Sequence, residues 1–205
     1  MNRKGARQSK VQSHRFPGKR CAWCGDDPVM IRYHDKEWGT PLHDDRRLFE
    51  LLVLEGAQAG LSWRTILHKR GAYRKAFRNF VPKTVAGFST REIQRLLKDP
   101  GIVRNRAKIA SAITNARAFL RVRKEFGSFD TYVWSFVNGR PIRRNPRTRP
   151  DVPVRSAESD ALSADLRTRG FSFVGSTICY AFLQSAGLVD DHTADCFRRK
   201  PRQTR

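Results

Sequence analysis

The chain has 205 residues, enough to bury a core in one domain or two small ones. Lys and Arg number 41 against 19 Asp and Glu, a formal net charge of +22, so the surface repels itself and seeks a polyanion: nucleic acid first, an anionic membrane surface second. No apolar run approaches the ~20 residues that span a bilayer, and the basic start MNRKGARQSKVQSHRFPGKR lacks the apolar core of a secretory signal, which points to a cytoplasmic protein.

The charge is uneven. Residues 1–20 hold seven Lys or Arg and residues 198–205 hold five, with no acid in either stretch. This composition divides the chain into a disordered basic arm (1–19), a helical domain (20–197) and a disordered basic tail (198–205). From 21 to 43 the sequence reads as irregular and aromatic. Asp44 or Asp45 then caps a helix through RRLFELLVLEG, with Gly56 and Gly60 near its end. Ser62 caps a second helix, SWRTILHKRGAYRKAF. Residues 89–97 form a third, capped by Ser89 or Thr90 with Glu92 placed for a capping box. KIASAITNARAFLRVRKEF is a long amphipathic helix, and SFDTYVWSFV fits helix or strand. Residues 139–155, with four Pro and six Arg, are a loop. A helix from Ser156 ends at Gly170, and a buried helix capped by Thr177 closes the chain. The pattern is all-α.

Three groups of residues carry chemistry. In LLKDPGIVRNRAKI (96–109), Gly101, Ile102 and Ala107 fit a helix-hairpin-helix pattern, although Val103 replaces its usual second glycine. A glycine turn before a helix can offer backbone N–H groups to a phosphate, and such contacts hold DNA without reading sequence. Gly101, Val103, Arg104, Arg106 and Lys108 are therefore the candidate DNA-binding residues here. Second, Cys21, His34, His192 and Cys196 make two Cys/His pairs with ligand spacing, a closed Cys2His2 set that suits structural zinc. Cys24 sits two residues beyond Cys21 and competes with His34 for the fourth position. Third, Trp23, Tyr33, Trp38 and Trp63 can stack on nucleobases or pack in a core. Glu55 lies in LEGAQAGLSW, an apolar stretch of small residues. A buried lone carboxylate is costly, and a cationic ligand would pair it.

RCAW, YHDKEWG, LEGAQAGLSW, GIVRNRAKI, RGFSFVGSTICYAFLQSAGLVDDH and the final His-x3-Cys together resemble the 3-methyladenine DNA glycosylase I (Tag) family of the helix-hairpin-helix glycosylase superfamily, in order over roughly residues 20–196. The resemblance implies a helix-hairpin-helix glycosylase fold in which a structural Zn2+ on Cys21, His34, His192 and Cys196 joins the N- and C-terminal segments. It implies a base pocket of Trp23, Tyr33, Trp38, Glu55 and Trp63, with Glu55 as the catalytic residue, and Leu61 as the side chain that fills the gap left by a flipped nucleotide. The implied activity is monofunctional excision of 3-methyladenine from alkylated double-stranded DNA in base excision repair, for which a monomer suffices and no membrane is needed. Ala57 stands where the family commonly has an amide, and the basic arm and the Arg-Pro loop are not family hallmarks. No acid follows the hairpin until Glu125, and the resemblance gives Asp130 no catalytic role. A non-catalytic module that binds damaged or bent duplex is the alternative; it would need the hairpin and the arms but not Glu55.

Overall fold

The computed structural model describes residues 18–199; most of both basic arms lies outside this range. Within it the chain forms nine α-helices and one two-stranded parallel sheet. The helices are α1 (Pro28–Lys36), α2 (Asp45–Gln58), α3 (Trp63–Ala76), α4 (Pro82–Ala86), α5 (Thr90–Lys98), α6 (Arg106–Phe126), α7 (Phe129–Ser135), α8 (Ala157–Thr168) and α9 (Ser176–Ser185).

Helix α2 is the axis of the fold. Every residue from Leu48 to Ala57 is buried, and a helix apolar on all sides belongs in the middle of a core. It packs against α3, α6, α7 and α9. The 21-residue α6 lies across α2 and carries α4, α5 and α7, while α8 covers α9. Phenylalanines interlock these layers: Phe49 of α2 packs edge-to-face on Phe119 of α6, which stacks on Phe129 of α7. A buried ion cluster fixes α3 on α2. Glu50 accepts from Arg70 at 2.6 Å and Arg74 at 2.8 Å, and Arg70 also reaches Glu37 at 2.7 Å. Removing one partner of such a cluster strands a charge in the interior.

Several elements differ from the sequence reading. Residues 28–36, expected to be irregular, are helical because Asp27 caps the N–H groups of Val29 and Met30 and Pro28 opens the first turn. Ser89 is the N-cap of α5 but makes no side-chain cap bond, and Glu92 turns to Arg95 at 2.6 Å instead of closing a capping box. Helix α6 starts at Arg106 behind an Asn105 cap, two residues before the Lys108 at which its amphipathic pattern begins. Helix α9 starts at Ser176, so Thr177 lies inside it and Gly175 takes the cap position. The ambiguous segment 129–135 is helix. Inside the Arg-Pro loop, Ile142–Arg143 pairs with Val189–Asp190, so the fold is mostly rather than wholly α. Lys19 and Arg198, placed by composition in the arms, are tied to the domain: Lys19 bridges to Cys196, and Arg198 donates to Thr40 at 2.7 Å.

Two glycines should respond oppositely to alanine. Gly187 has φ +72°, and an added Cβ would lie 2.2–2.4 Å from Thr40 and Pro41 backbone. Gly71 sits exposed within α3 with open space around it. Gly71→Ala is expected to raise stability by about 0.5–1 kcal/mol. Gly187→Ala is expected to lower it sharply or prevent folding, since both backbone conformation and space forbid the methyl group. Thermal unfolding of the two variants checks this.

Candidate active site and metal-ligating cluster

Helices α1, α2, α3 and α9 leave a cleft of about 430 Å3 between them. Trp23, Tyr33, Trp38, Glu55 and Trp63, the five residues singled out as a base pocket, all line it. Trp23 meets Trp38 edge-on at 4.9 Å between ring centroids and Tyr33 at 6.3 Å, and Tyr33 packs on Trp63 at 5.4 Å. The indole N–H groups of Trp23 and Trp63 are buried with no hydrogen-bond partner among the described residues. Two donors without acceptors in the wall of a cleft favour a ligand that accepts from them.

Sequence reasoning missed the other side of the cleft. Thr177, Tyr180, Ala181 and Gln184 line it from α9, and Gln58 lines it one turn beyond Glu55. Their spacing follows one helical face, so the signal was present, but an apolar helix with a few polar residues also reads as core. Asp191 steadies two of them, accepting from Tyr180 Oη at 2.5 Å and Gln184 Nε2 at 2.7 Å. The rim comes from Arg149, Val152, Pro153 and Val154 of the Arg-Pro loop.

Glu55 is 3% exposed, on the last full turn of the central helix. Burial pushes its carboxyl up to about 8, against an ordinary value of 4.5, and a hydrogen bond with Ser185 works weakly the other way. The same carboxyl, after burial, pushes the Tyr33 phenol upward. Burial thus favours the protonated carboxyl, and a cation placed beside it would favour the carboxylate.

Behind the aromatic wall, Cys21, His34, His192 and Cys196 converge, all buried, with ligand atoms within 4.8 Å of one another. Cys196 Sγ lies 3.4 Å from both His34 Nε2 and His192 Nδ1, and Cys21 Sγ lies 3.5 Å from His192 Nδ1. Zinc–sulfur and zinc–nitrogen bonds of about 2.3 and 2.0 Å at tetrahedral angles place S and N about 3.5 Å apart, so the spacing fits a metal of this kind. The surroundings fit as well. His34 Nδ1 faces Asp35 at 2.8 Å, which leaves Nε2 for the cluster, and Arg20 holds Asp35 through a fork. His192 Nε2 faces the Trp38 carbonyl at 3.3 Å, which leaves Nδ1 for the cluster. Such outer contacts orient imidazole ligands. Hydrogen bonds from Cys21, His192 and His34 push the Cys196 thiol down despite its burial, while the bond to Cys196 and burial push Cys21 up. Cys24 stands apart: its thiol bonds the Gly25 carbonyl and is not in the cluster.

The segment 99–105 joins α5 to α6. A Cβ at Gly101 would stand 2.7 Å from the Ala72 Cβ, so glycine lets this turn lie against α3. Its N–H groups are less bare than the sequence suggested: Gly101 donates to Asp99 Oδ1 at 2.8 Å and Val103 to Tyr73 Oη at 3.2 Å. Arg104 and Arg106 are exposed beside it. Lys108 is turned inward, donating to the carbonyls of Ala57 at 2.9 Å and Ala59 at 2.6 Å. It thereby caps the end of the helix that carries Glu55, a favourable place for a cation. Leu61, beyond that end, is 43% exposed. Asp130 is remote from the cleft lining and bonds His43 at 2.9 Å.

Residues 23–199 match the family model for methyladenine glycosylase. The chain is 48% identical over 178 residues to DNA-3-methyladenine glycosylase 1 of Escherichia coli (strain K12), covering 87% of this chain and 95% of that protein. A crystal structure of 3-methyladenine DNA glycosylase I superposes with a TM-score of 0.87 at 47% identity, over 89% of this chain and all of the other. The Staphylococcus aureus glycosylase, solved to explain 3-methyladenine recognition, superposes with a TM-score of 0.86 at 40% identity, over 90% of this chain and 98% of that one. No helix among the described residues is long and apolar enough to cross a membrane. With a family match along nearly the whole domain, close relatives of the same activity and the same mostly helical fold, the chain belongs to the methyladenine glycosylase family, enzymes that hydrolyse the N-glycosyl bond.

Proposed function

We propose that this enzyme excises 3-methyladenine from alkylated duplex DNA, and that the cleft is the pocket for the extruded base. The observation that carries this reading is a buried Glu55 among Trp23, Tyr33, Trp38 and Trp63 in a protein of net charge +22. A base inside a stack cannot be reached, so the nucleotide must leave the duplex. 3-Methyladenine in DNA carries a positive charge. Aromatic faces attract it by stacking and cation–π contact, and Glu55, on giving up its proton, accepts from its adenine edge. An unmodified, neutral adenine gains less from both. When the glycosidic bond breaks, its electron pair leaves with the base, which becomes neutral. Water adds to C1′ of the sugar cation and releases a proton. DNA phosphates and the charge on the leaving group assist this step without a second protein carboxylate.

The remaining parts serve this step. The segment 96–109 acts as the helix-hairpin-helix, holding the backbone through the exposed Arg104 and Arg106 at the start of α6. Gly101 and Val103 shape its turn, and Lys108 supports it from within. Leu61, an exposed leucine on the turn after α2, fills the gap left by the base. Cys21, His34, His192 and Cys196 hold Zn2+, which fastens the two ends of the domain and, through His192, the Trp38 backbone. With four protein ligands the metal has no open position, so its contribution is structural. Residues 20–197 form the glycosylase domain, and the basic arms add non-specific affinity for DNA.

Base release from methylated duplex DNA tests the proposal. Wild-type protein is expected to free 3-methyladenine, and Glu55→Gln to lose about 10- to 100-fold in kcat/KM, the worth of a hydrogen bond to a charged group. No release by the wild type would overturn the reading. Protonation of Glu55 sets the pH dependence. A cationic base must displace its proton below about 8, so kcat/KM is expected to rise with pH and level off near 8, and the Glu55→Gln profile to be flat across that range.

The same shift bears on stability. The folded carboxyl ionises later than the unfolded one, so between 4.5 and about 8 the unfolded state binds fewer protons and stability falls as pH rises. Glu55→Gln removes this penalty, about 3 kcal/mol at pH 7. Its Tm is expected to exceed that of the wild type at pH 7 and to approach it at pH 4.5.

For the metal, analysis of purified protein is expected to give one zinc per chain. Cys196→Ser is expected to lose it with a fall in Tm, while Cys24→Ser retains both. Loss of zinc in Cys24→Ser would replace His34 by Cys24 in the ligand set.

A further inference from the structure

The Arg-Pro loop places a cation where a pocket for a cationic base should not have one. Arg149 lines the cleft that contains Glu55, yet its side chain is exposed and has no ion-pair or hydrogen-bond partner among the described residues. Asp151, two residues on, is spent on the turn itself: its Oδ2 accepts from the Thr148 N–H at 2.8 Å and the Thr148 hydroxyl at 3.0 Å. The turn is stiff. The 3-10 segment Arg149–Asp151 carries this capping box at its start, and Pro150 and Pro153 fix the backbone on either side of Asp151. The loop is also anchored at its root, where Ile142–Arg143 pairs with Val189–Asp190, just before His192. Val154, on the same rim, is 69% exposed.

A guanidinium in this place would repel the positively charged base, and a solvated arginine elsewhere would cost nothing. The charge is compatible with the ligand only if another part of the same substrate carries the opposite sign beside it. An extruded nucleotide meets that condition, because its base enters the cleft while its two phosphates remain at the mouth. Arginine binds phosphate through paired N–H groups.

We propose that Arg149 is a phosphate-anchoring residue: its guanidinium, exposed at the cleft, grips a phosphate flanking the extruded nucleotide. This rests on the pocket assignment above and adds to it a second DNA-binding wall that the hairpin does not provide. The consequence is a division of labour between free base and DNA. Arg149 helps only a ligand that brings a phosphate, so it improves binding of DNA while leaving binding of the excised base unchanged or weakened.

The test compares Arg149→Gln with Arg140→Gln, which removes an exposed arginine that does not line the cleft. Two probes are used: free 3-methyladenine, followed by tryptophan fluorescence, and a duplex with one tetrahydrofuran abasic site, titrated over a range of salt. Arg149→Gln is expected to weaken duplex binding about 5- to 30-fold at low salt and to flatten the log K against log salt slope by about 0.9 more than Arg140→Gln does. It is expected to bind 3-methyladenine at least as tightly as the wild type, and Arg149→Lys is expected to recover most of the slope. Equal slopes for the two glutamine variants, or a loss of 3-methyladenine binding in Arg149→Gln alone, would overturn the proposal. These outcomes are independent of whether wild-type protein releases 3-methyladenine, which decides the pocket assignment separately.

Discussion

The contact on which the site depends is the meeting of Cys21, His34, His192 and Cys196. Two of these ligands come from near each end of the domain, and among the described residues no long helix or broad sheet fastens those ends otherwise. Lys19 and Cys196 share only a single bridge. The cluster also touches the cleft directly. Trp38 packs edge-on against His192 at 4.6 Å and stacks on His34 at 6.2 Å, and its carbonyl faces His192 Nε2. Trp23 lies against His34 at 5.5 Å. The aromatic wall is therefore mounted on the imidazoles, and any ion that orders the imidazoles orders the wall.

The opposite wall is built from the central helix, and here the fold accepts a cost. Every neighbour of Glu55 along α2 from Leu48 to Ala57 is buried, so the carboxyl is held where its charged form is disfavoured. Two other buried acids are paired with cations, Glu50 with two arginines and Asp35 with the Arg20 fork, while the buried Asp191 takes neutral donors from Tyr180 and Gln184. Glu50 and Glu55, five residues apart on one helix, thus differ: the first is ion-paired, and the second is shifted upward by burial with no cation named beside it. A group left in a costly state by an otherwise well-satisfied core is a reasonable place to look for a ligand of matching charge.

Much of this was legible in the sequence, and the physical reasons differ by element. Ser62, Ser156 and the pair Asp44–Asp45 marked three helix starts because a side-chain acceptor there can bond the first free N–H groups; the structure uses Asp44 of the pair. The ligand set was ambiguous by spacing alone, since Cys24 is as close to Cys21 as a ligand pair requires; only the fold, which turns the Cys24 thiol to Gly25, separates it from His34. Helix α1 was missed because it is short and polar, although Asp27-Pro28 and the spacing of Met30, Tyr33 and His34 carried its signal. The α9 wall of the cleft was hidden for another reason. Thr177, Tyr180, Ala181 and Gln184 do share a helical face, but the same spacing serves a core helix, and the bonds from Tyr180 and Gln184 to Asp191 that distinguish the two have no helical signature. Lys108 shows the limit most plainly: a basic residue in a basic motif suggests phosphate, yet its ammonium is committed to two carbonyls of α2.

The central claim is that Glu55 is protonated in the free enzyme and ionised against a cationic base. Infrared difference spectra at pH 7, recorded on adding 3,9-dimethyladenine, whose N9 methyl group keeps the positive charge that the excised base loses, and compared between wild type and Glu55→Gln, test it most directly. The account requires a protonated-carboxyl band to disappear and a carboxylate band to appear in the wild type, with neither change in the variant. A carboxylate already present before the base is added, or a carboxyl that stays protonated after it binds, would contradict it.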